Sequence, residues 1–127
     1  MYYFAYGTNI NKKRFLKRFK GSIFIKKYTI KGYRLVFRTK YGLPDLESSF
    51  ISNAQGIIYL INSSIEKKLD KYEEYPKIYI KKYFKFRNKK TMFYVMKKKS
   101  RQTNPSIYYL KIIKDGFRQS NLKFKSY

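Results

Sequence analysis

The chain has 127 residues, of which 31 are lysine or arginine and seven are aspartate or glutamate, so its formal net charge is +24 at pH 7. This length suits a single core, and we expect residues 1–127 to form one domain. Cysteine and histidine are absent, which excludes disulfides, thiolate catalysis, a histidine base and the zinc sites that are built on these ligands.

The large positive charge has two interpretations. A broad positive field attracts polyanions such as nucleic acid or an anionic membrane surface. Alternatively, the joint abundance of Lys, Ile, Tyr, Phe and Asn reflects an AT-rich genome that filled tolerant surface positions. The lysine pairs and triplets are dispersed along the chain, which is more typical of a solvated surface than of a dedicated groove. The charge alone therefore names no partner.

The chain shows no sign of a membrane span or of export. No apolar run is long enough to cross a bilayer, and the N-terminus lacks the charged start and the small-residue cleavage site of a signal peptide. We therefore expect a cytoplasmic protein.

The first nine residues combine an aromatic segment with a tight turn. Tyr2 to Tyr6 suit a half-buried strand, and Gly7 allows either a positive φ or the close approach of a ligand to the main chain. Thr8 and Asn9 can cap the next segment and leave main-chain N–H groups pointing outward. The turn is thus a candidate cradle for a carboxylate, although a strand that simply ends at a glycine turn would give the same pattern.

The next elements follow from local composition and periodicity. They are a helix over 9–20 capped by Asn9 or Asn11 and ended by Gly21, strands over 22–29 and 33–38 on either side of Lys31-Gly32, a surface loop over 40–54 and a strand over 55–61. The continuous apolar run of the last strand predicts that it is buried on both faces.

The second half of the chain begins with a predicted helix over 64–74, which Pro76 prevents from continuing. The remaining predicted elements are a strand over 77–87, a strand over 92–97, a helix over 105–116 that Gly116 ends, and a basic tail from about residue 118.

The seven carboxylates make the search for a catalytic group short. Asp70, Glu73 and Glu74 cluster near the end of the helix predicted over 64–74, and Glu73 lies on the apolar side of that helix. A carboxylate placed just before the break at Pro76 can face a cavity. The plainer interpretation is that the three carboxylates balance nearby lysines.

Four segments form a pattern that extends from residue 2 to about residue 116. They are Phe4-Ala5-Tyr6-Gly7-Thr8-Asn9, Gly56-Ile57-Ile58-Tyr59-Leu60, Leu69-Asp70-Lys71-Tyr72-Glu73, and Pro105-Ser106-Ile107-Tyr108-Tyr109 followed by Ile112, Ile113 and Gly116. In order and spacing they match a Tyr-Gly-Ser-Asn turn, a Gly-x-x-Tyr-x-Leu strand, a Leu-Asp-x-x-Glu motif and a Pro-Ser-x-x-Tyr segment. The chain therefore resembles the gamma-glutamylcyclotransferase-like proteins.

The resemblance implies an α+β fold, a small mixed β-barrel with flanking short helices and a cavity at one end. It also implies an enzyme that releases 5-oxoproline from a γ-glutamyl compound, because the substrate's own α-amine attacks its γ-carbonyl. Such a reaction needs no metal, no cofactor and no protein nucleophile. The implied general acid and base is Glu73. The residues that the resemblance assigns to substrate binding are Tyr6, Gly7, Thr8, Asn9, Tyr79 and Tyr109.

Two positions depart from the family pattern. Thr8 replaces the usual serine and adds a methyl group. Glu74 stands where glycine is common, so this adjacent carboxylate can either compete with Glu73 for the catalytic role or raise the pKa of Glu73. The sequence therefore does not identify the amine that the substrate releases. An alternative of another class is a non-catalytic binding protein that uses the pocket or the basic surface for an anionic partner such as nucleic acid. Glu73 pointing inward beside the Gly7 amide favours the enzyme, whereas a basic stripe with exposed aromatic rings favours nucleic acid.

Overall fold

The computed structural model of the protein describes residues 1–124. Its regular elements, in chain order, are β1 (Tyr2–Ala5), a 3-10 helix (Thr8–Ile10), α1 (Lys12–Arg18), β2 (Ile23–Arg38), β3 (Leu43–Leu60), α2 (Ser63–Tyr72), β4 (Tyr79–Phe86), β5 (Lys89–Met96) and α3 (Ile107–Gln119). Within the described residues, none of these helices is both long and apolar enough to cross a membrane.

The strands form one mixed sheet in the order β2-β3-β1-β5-β4. β1 runs parallel to β5, and the other neighbouring pairs are antiparallel. The main-chain ladder stops at β2 and β4, but aromatic side chains connect these two edges across the interior. Tyr28 of β2 stacks on Phe84 of β4 with 5.6 Å between ring centroids. Tyr33 of β2 also meets Phe93 of β5, next to the β4 edge, edge-on at the same separation. The predicted barrel-like α+β fold is confirmed.

The central strand β1 separates two apolar cores. Tyr3 and Ala5 face the helices, whereas Phe4 and Tyr6 face the interior of the curled sheet. This alternation follows from the two-residue period of a strand. Because both faces are covered, the predicted aromatic strand at the N-terminus is buried almost completely. The apolar run in the second half of β3 is likewise buried on both faces, as predicted.

Two predictions about the segment from residue 22 to residue 54 are wrong. The two strands predicted on either side of Lys31-Gly32 are one strand, β2, in which Gly32 has a φ of 87° at a shift in the pairing register. Most of the loop predicted over 40–54 belongs to β3, which pairs with β2 from Leu43 onward. Pro44 is tolerated there because this part of β3 has a strand neighbour on one side only.

The helix predictions are confirmed with shifted ends. The Asn11 side chain caps α1 by accepting a hydrogen bond from the Arg14 amide, and Asn62 caps α2 by accepting one from the Ile65 amide. The predicted strands over 77–87 and 92–97 correspond to β4 and β5.

The predicted stop at Gly116 is wrong, because α3 continues to Gln119. Gly116 instead permits close packing: a Cβ there would lie 2.5 Å from Ile10 Cγ2 and 2.7 Å from the Asn11 amide nitrogen. Part of the predicted basic tail is therefore helix, and Leu122 and Phe124 pack against the core. The last three residues of that predicted tail lie outside the described residues.

Candidate active site

A pocket of about 240 Å³ lies at the end of the sheet where β1 stops. Its walls come from the turn after β1, the start of β3, the end of α2, the start of β4, the end of β5 and the first turn of α3. Every residue that the sequence assigned to the site lines this pocket, namely Tyr6, Gly7, Thr8, Asn9, Glu73, Tyr79 and Tyr109.

Glu73 is positioned by the end of α2. It is the residue that caps this helix, and its amide donates to the Leu69 carbonyl at 2.8 Å. Leu69 itself is fully buried, so the last turn of α2 is anchored in the core. Glu74 then adopts a φ of 51°, and its carbonyl accepts from the Ile78 amide at 2.9 Å. The chain thus turns away sharply after Glu73 and leaves this side chain at the pocket wall.

The charge environment of Glu73 differs from that of most other carboxylates. Asp45, Glu47, Glu66, Asp70 and Asp115 each form an ion pair with lysine or arginine. Within residues 1–124, the Glu73 carboxylate has neither an ion pair nor a hydrogen-bond donor.

Burial raises the pKa of Glu73 from 4.5 to about 8. A carboxyl group with a pKa in this range can both accept and return a proton near neutral pH, which is the requirement for a general acid and base.

The plainer interpretation of the carboxylate cluster holds for Asp70. Its carboxylate accepts a hydrogen bond from the Tyr94 hydroxyl at 2.6 Å and pairs with Lys81, which also pairs with Glu66. These contacts fasten α2 to β4 and β5. Asp70 therefore supports the helix that carries Glu73 and does not line the pocket.

The turn after β1 is held against β3 by a close contact. A Cβ on Gly7 would lie 2.8 Å from Pro44 Cγ, so glycine is required by this packing. Its φ is −103°, so the positive φ that the sequence allowed is not used. Thr8 and Asn9 open the 3-10 helix, where main-chain N–H groups lack acceptors within the helix. Within the described part of the chain, neither amide has an acceptor, which leaves donors available beside the pocket.

Asn9 fixes the turn from beneath. It is 4% exposed, its side-chain Nδ2 donates to the Tyr3 hydroxyl at 3.0 Å, and its carbonyl accepts from the Tyr59 hydroxyl at 2.8 Å. Two buried tyrosines therefore bind the side-chain nitrogen and the main-chain carbonyl of Asn9. The side chain positions the turn, and the main-chain N–H of Asn9 is the group that remains available to a ligand.

Two of the predicted tyrosines join pocket walls to one another. The Tyr6 hydroxyl donates to the Tyr94 carbonyl at 2.5 Å, and the Tyr79 hydroxyl donates to the Pro44 carbonyl at 2.7 Å. Burial raises the pKa of both phenols above the ordinary value, so both remain protonated donors. Tyr109 lies in the first turn of α3, which Ser106 caps by accepting from the Tyr109 amide at 3.0 Å.

Several lining residues were not anticipated from the sequence. They are Tyr3, Leu43, Pro44, Tyr72, Ile78 and Tyr94, and Glu74, which the sequence marked only as a departure from the family pattern, also lines the pocket. Leu43 and Pro44 fell in the segment that was wrongly predicted to be a loop, and nothing local distinguishes Tyr94 among the 15 tyrosines. Only the position of Tyr72 directly before Glu73 could have indicated from the sequence that it lines the pocket.

Comparisons with known proteins agree with this geometry. Residues 3–111 match the family described as gamma-glutamyl cyclotransferase, AIG2-like. No curated protein matches the chain.

Solved structures show the same fold. One named gamma-glutamyl cyclotransferase has a TM-score of 0.81 at 23% identity, with 96% of this chain and 80% of that chain covered. An uncharacterised human protein has a TM-score of 0.81 at 22% identity, with 97% and 81% covered. An AIG2-like mouse protein has a TM-score of 0.62 at 16% identity, with 86% and 81% covered. Since the family match extends over most of its length, the chain belongs to the gamma-glutamyl cyclotransferase, AIG2-like family.

Proposed function

We propose that the protein is a γ-glutamyl cyclotransferase that releases 5-oxoproline from a γ-glutamyl amine, amino acid or peptide. The observation that carries this proposal is the position of Glu73, a carboxyl group with no cation partner among the described residues, in the same pocket as the Thr8 and Asn9 amides. Family membership supports the reaction class.

The proposed reaction uses the substrate's own nucleophile. Glu73 takes a proton from the substrate α-ammonium, and the free amine attacks the γ-carbonyl carbon to form the ring C–N bond. The bond from that carbon to the leaving amine then breaks, and Glu73 returns its proton to the leaving nitrogen. Glu73 then carries a second proton from the ring nitrogen to the same leaving amine, which departs as an ammonium ion. The lactam nitrogen keeps one hydrogen and Glu73 ends as a carboxylate, so atoms and charges balance without any other reactant. Proton transfer by a positioned group of this kind contributes roughly 10²- to 10⁴-fold to the rate.

The turn after β1 is assigned to substrate binding. The Thr8 and Asn9 amides are suitable donors for the substrate α-carboxylate, and Gly7 keeps the main chain close to the pocket wall. The pocket of about 240 Å³ is smaller than the roughly 300–1,000 Å³ typical of sites for drug-sized ligands. This size favours a folded γ-glutamyl group, which brings the amine near the carbonyl and so supplies much of the rate enhancement by proximity.

The proposal is tested by assaying 5-oxoproline with γ-glutamyl amino acids, γ-glutamyl amines and glutathione as donors. We expect Glu73→Gln to lower kcat by about 10²- to 10⁴-fold on any donor that the wild type accepts. The matched control is Glu74→Gln, which removes the neighbouring carboxylate and should retain kcat within a few-fold. Circular dichroism of each variant establishes that the fold is kept.

Two outcomes would contradict the proposal. Equal turnover by the wild type and Glu73→Gln would remove Glu73 from its role. Absence of 5-oxoproline with every donor would favour the alternative of a non-catalytic binding protein of this family.

A further inference from the structure

The hairpin of β4 and β5 carries a concentration of positive charge at the end remote from the pocket. Lys85, Arg87, Lys89 and Lys90 are all exposed, and together with Tyr83 they are called the basic hairpin below. The strands are joined by a tight turn at Arg87 and Asn88, with φ of 52° and 62°. Two successive residues with positive φ are typical of the short turns that close regular two-stranded ribbons.

The charges of the basic hairpin are not balanced within the protein. Lys85 lies directly opposite Lys90 in the pairing register of β4 and β5, and like charges in this arrangement destabilise a strand pair. All seven Asp and Glu side chains lie in the described residues. Five of them pair with Arg34, Arg38, Lys81, Lys99 or Arg118, and none pairs with Lys85 or Lys90. Within residues 1–124, the repulsion between Lys85 and Lys90 is therefore not offset by a carboxylate, which favours an external anion.

An aromatic ring accompanies the lysine pair. Tyr83 is 44% exposed, and the Lys90 Nζ lies 4.0 Å from its ring centroid. Because side chains alternate along a strand, Tyr83 and Lys85 share one face of β4, and Lys90 lies on the same face of β5. One face thus offers both cations and part of a flat ring.

Single-stranded nucleic acid matches both features. Its phosphates are bound by lysine and arginine, and its unstacked bases pack against exposed aromatic rings. Duplex nucleic acid keeps its base faces covered. A membrane surface is bound by apolar side chains next to the cations, whereas the tip of this hairpin is the polar pair Arg87 and Asn88.

We propose that the basic hairpin is a binding site for single-stranded nucleic acid, separate from the pocket. β4 begins at Tyr79, which lines the pocket, and ends at Phe86 beside the turn. Its length is 8 residues, and at about 3.3 Å per residue it separates the two sites by roughly 25 Å. Nucleic-acid binding at this site does not depend on the proposed cyclotransferase activity.

The experiment measures binding of fluorescein-labelled single-stranded RNA and DNA oligonucleotides of mixed sequence by anisotropy at several NaCl concentrations. We expect the Kd of Lys85→Gln/Lys90→Gln to rise by about tenfold or more at low salt. The slope of log affinity against log salt should become shallower by about 1.4, because each phosphate contact contributes about 0.7 on a single strand. Tyr83→Ala should weaken binding about tenfold without changing that slope.

The control variant is Lys67→Gln/Lys68→Gln, which removes the same charge from exposed positions of α2 and should change the Kd by less than threefold. Equal weakening by the two double variants would show that binding is diffuse surface charge and would overturn the proposal. Equal or tighter binding of a duplex, or of vesicles rich in phosphatidylserine, would also overturn it. Thermal unfolding checks that each variant is folded, and unchanged 5-oxoproline release by the hairpin variant, where the wild type is active, separates this site from the pocket.

Discussion

Glu73 links the ionisation of one residue to the stability of the protein. Burial raises its pKa from 4.5 to about 8, so the folded protein retains a proton that the unfolded chain releases between these two values. The stability associated with that proton is fully present below pH 4.5 and is lost as the pH rises through 8. Each unit of such a pKa shift corresponds to about 1.4 kcal/mol before partial exposure reduces it.

Glu73→Gln should therefore change the pH dependence of unfolding. The amide resembles the protonated carboxyl group, so we expect similar melting temperatures for the two proteins at pH 5. At pH 9 the variant should melt at a higher temperature than the wild type. Differential scanning calorimetry at both pH values measures this, and a difference that is the same at pH 5 and pH 9 would contradict the assigned environment of Glu73.

Glu74 occupies a backbone conformation that favours glycine. Its φ of 51° lies in the left-handed region, which costs other residues about 1–2 kcal/mol, whereas glycine costs about 0.5–1 kcal/mol in unfolded-state entropy. We expect Glu74→Gly to stabilise the protein by roughly 0.5–1 kcal/mol in urea unfolding. Glu74→Ala removes the same charge but keeps the unfavourable φ, so it should give no such gain. Equal stabilisation by both variants would instead identify the charge as the cause.

At the scale of elements, Gly116 determines how closely α3 approaches the turn after β1. In an exposed helix, replacing glycine by alanine stabilises by about 0.5–1 kcal/mol. Here the added Cβ would meet Ile10 and the Asn11 main chain at less than van der Waals distance. We therefore expect Gly116→Ala to destabilise the protein by about 1–3 kcal/mol. Chemical denaturation of both proteins measures this change in the free energy of unfolding, and any stabilisation by Gly116→Ala would contradict the close packing.

The sequence predicted those elements whose signals are local. The cap of α1, predicted as Asn9 or Asn11, and the apolar side of α2 are both recognised within one or two turns of helix. The first half of β3 was missed because its Pro and Ser content, together with Gly42 just before it, is typical of a loop. Pairing with β2 overrides this composition, and that pairing depends on residues of another strand, such as Tyr33 opposite Ser48.

At the scale of the whole molecule, a buried ion cluster joins the hairpin formed by β2 and β3 to the end of β5. Asp45 of β3 is 0% exposed, and its carboxylate accepts hydrogen bonds from Arg38 Nε at 2.7 Å, the Met96 amide at 2.8 Å and Lys99 Nζ at 2.8 Å. Asp45 directly follows Pro44, so the cluster also sets the position of one pocket wall.

Asp45→Ala should destabilise the protein by about 3–5 kcal/mol, because it removes the fully buried carboxylate that pairs with Arg38 and leaves this buried guanidinium only the partly exposed Glu47 as an ion-pair partner. Glu47→Ala is the matched comparison, since the Glu47 side chain is 32% exposed and its pairs are worth about 1 kcal/mol or less. Equal costs in equilibrium unfolding would contradict the assignment of Asp45 as the centre of the cluster.

The candidate site was predictable from the sequence where a short motif carries it, and at Tyr79 from the family resemblance without a motif. Glu73 and the turn from Tyr6 to Asn9 belong to contiguous motifs, and both line the pocket. Pro44 and Tyr94 reach the same pocket through strand register across the sheet. No local pattern encodes that register, so these residues could be identified only from the folded chain.

Within the described chain, no cation lies beside Glu73, and this determines at which stage of the proposed reaction its carboxyl group ionises. At rest, near neutral pH, the carboxyl group is largely uncharged, because burial opposes its ionisation. The α-ammonium of an arriving γ-glutamyl group then supplies the missing counter-ion and lowers the pKa of Glu73 by attraction. In the proposed enzyme, Glu73 is therefore a neutral acid in the empty pocket and ionises to the catalytic base when a substrate binds.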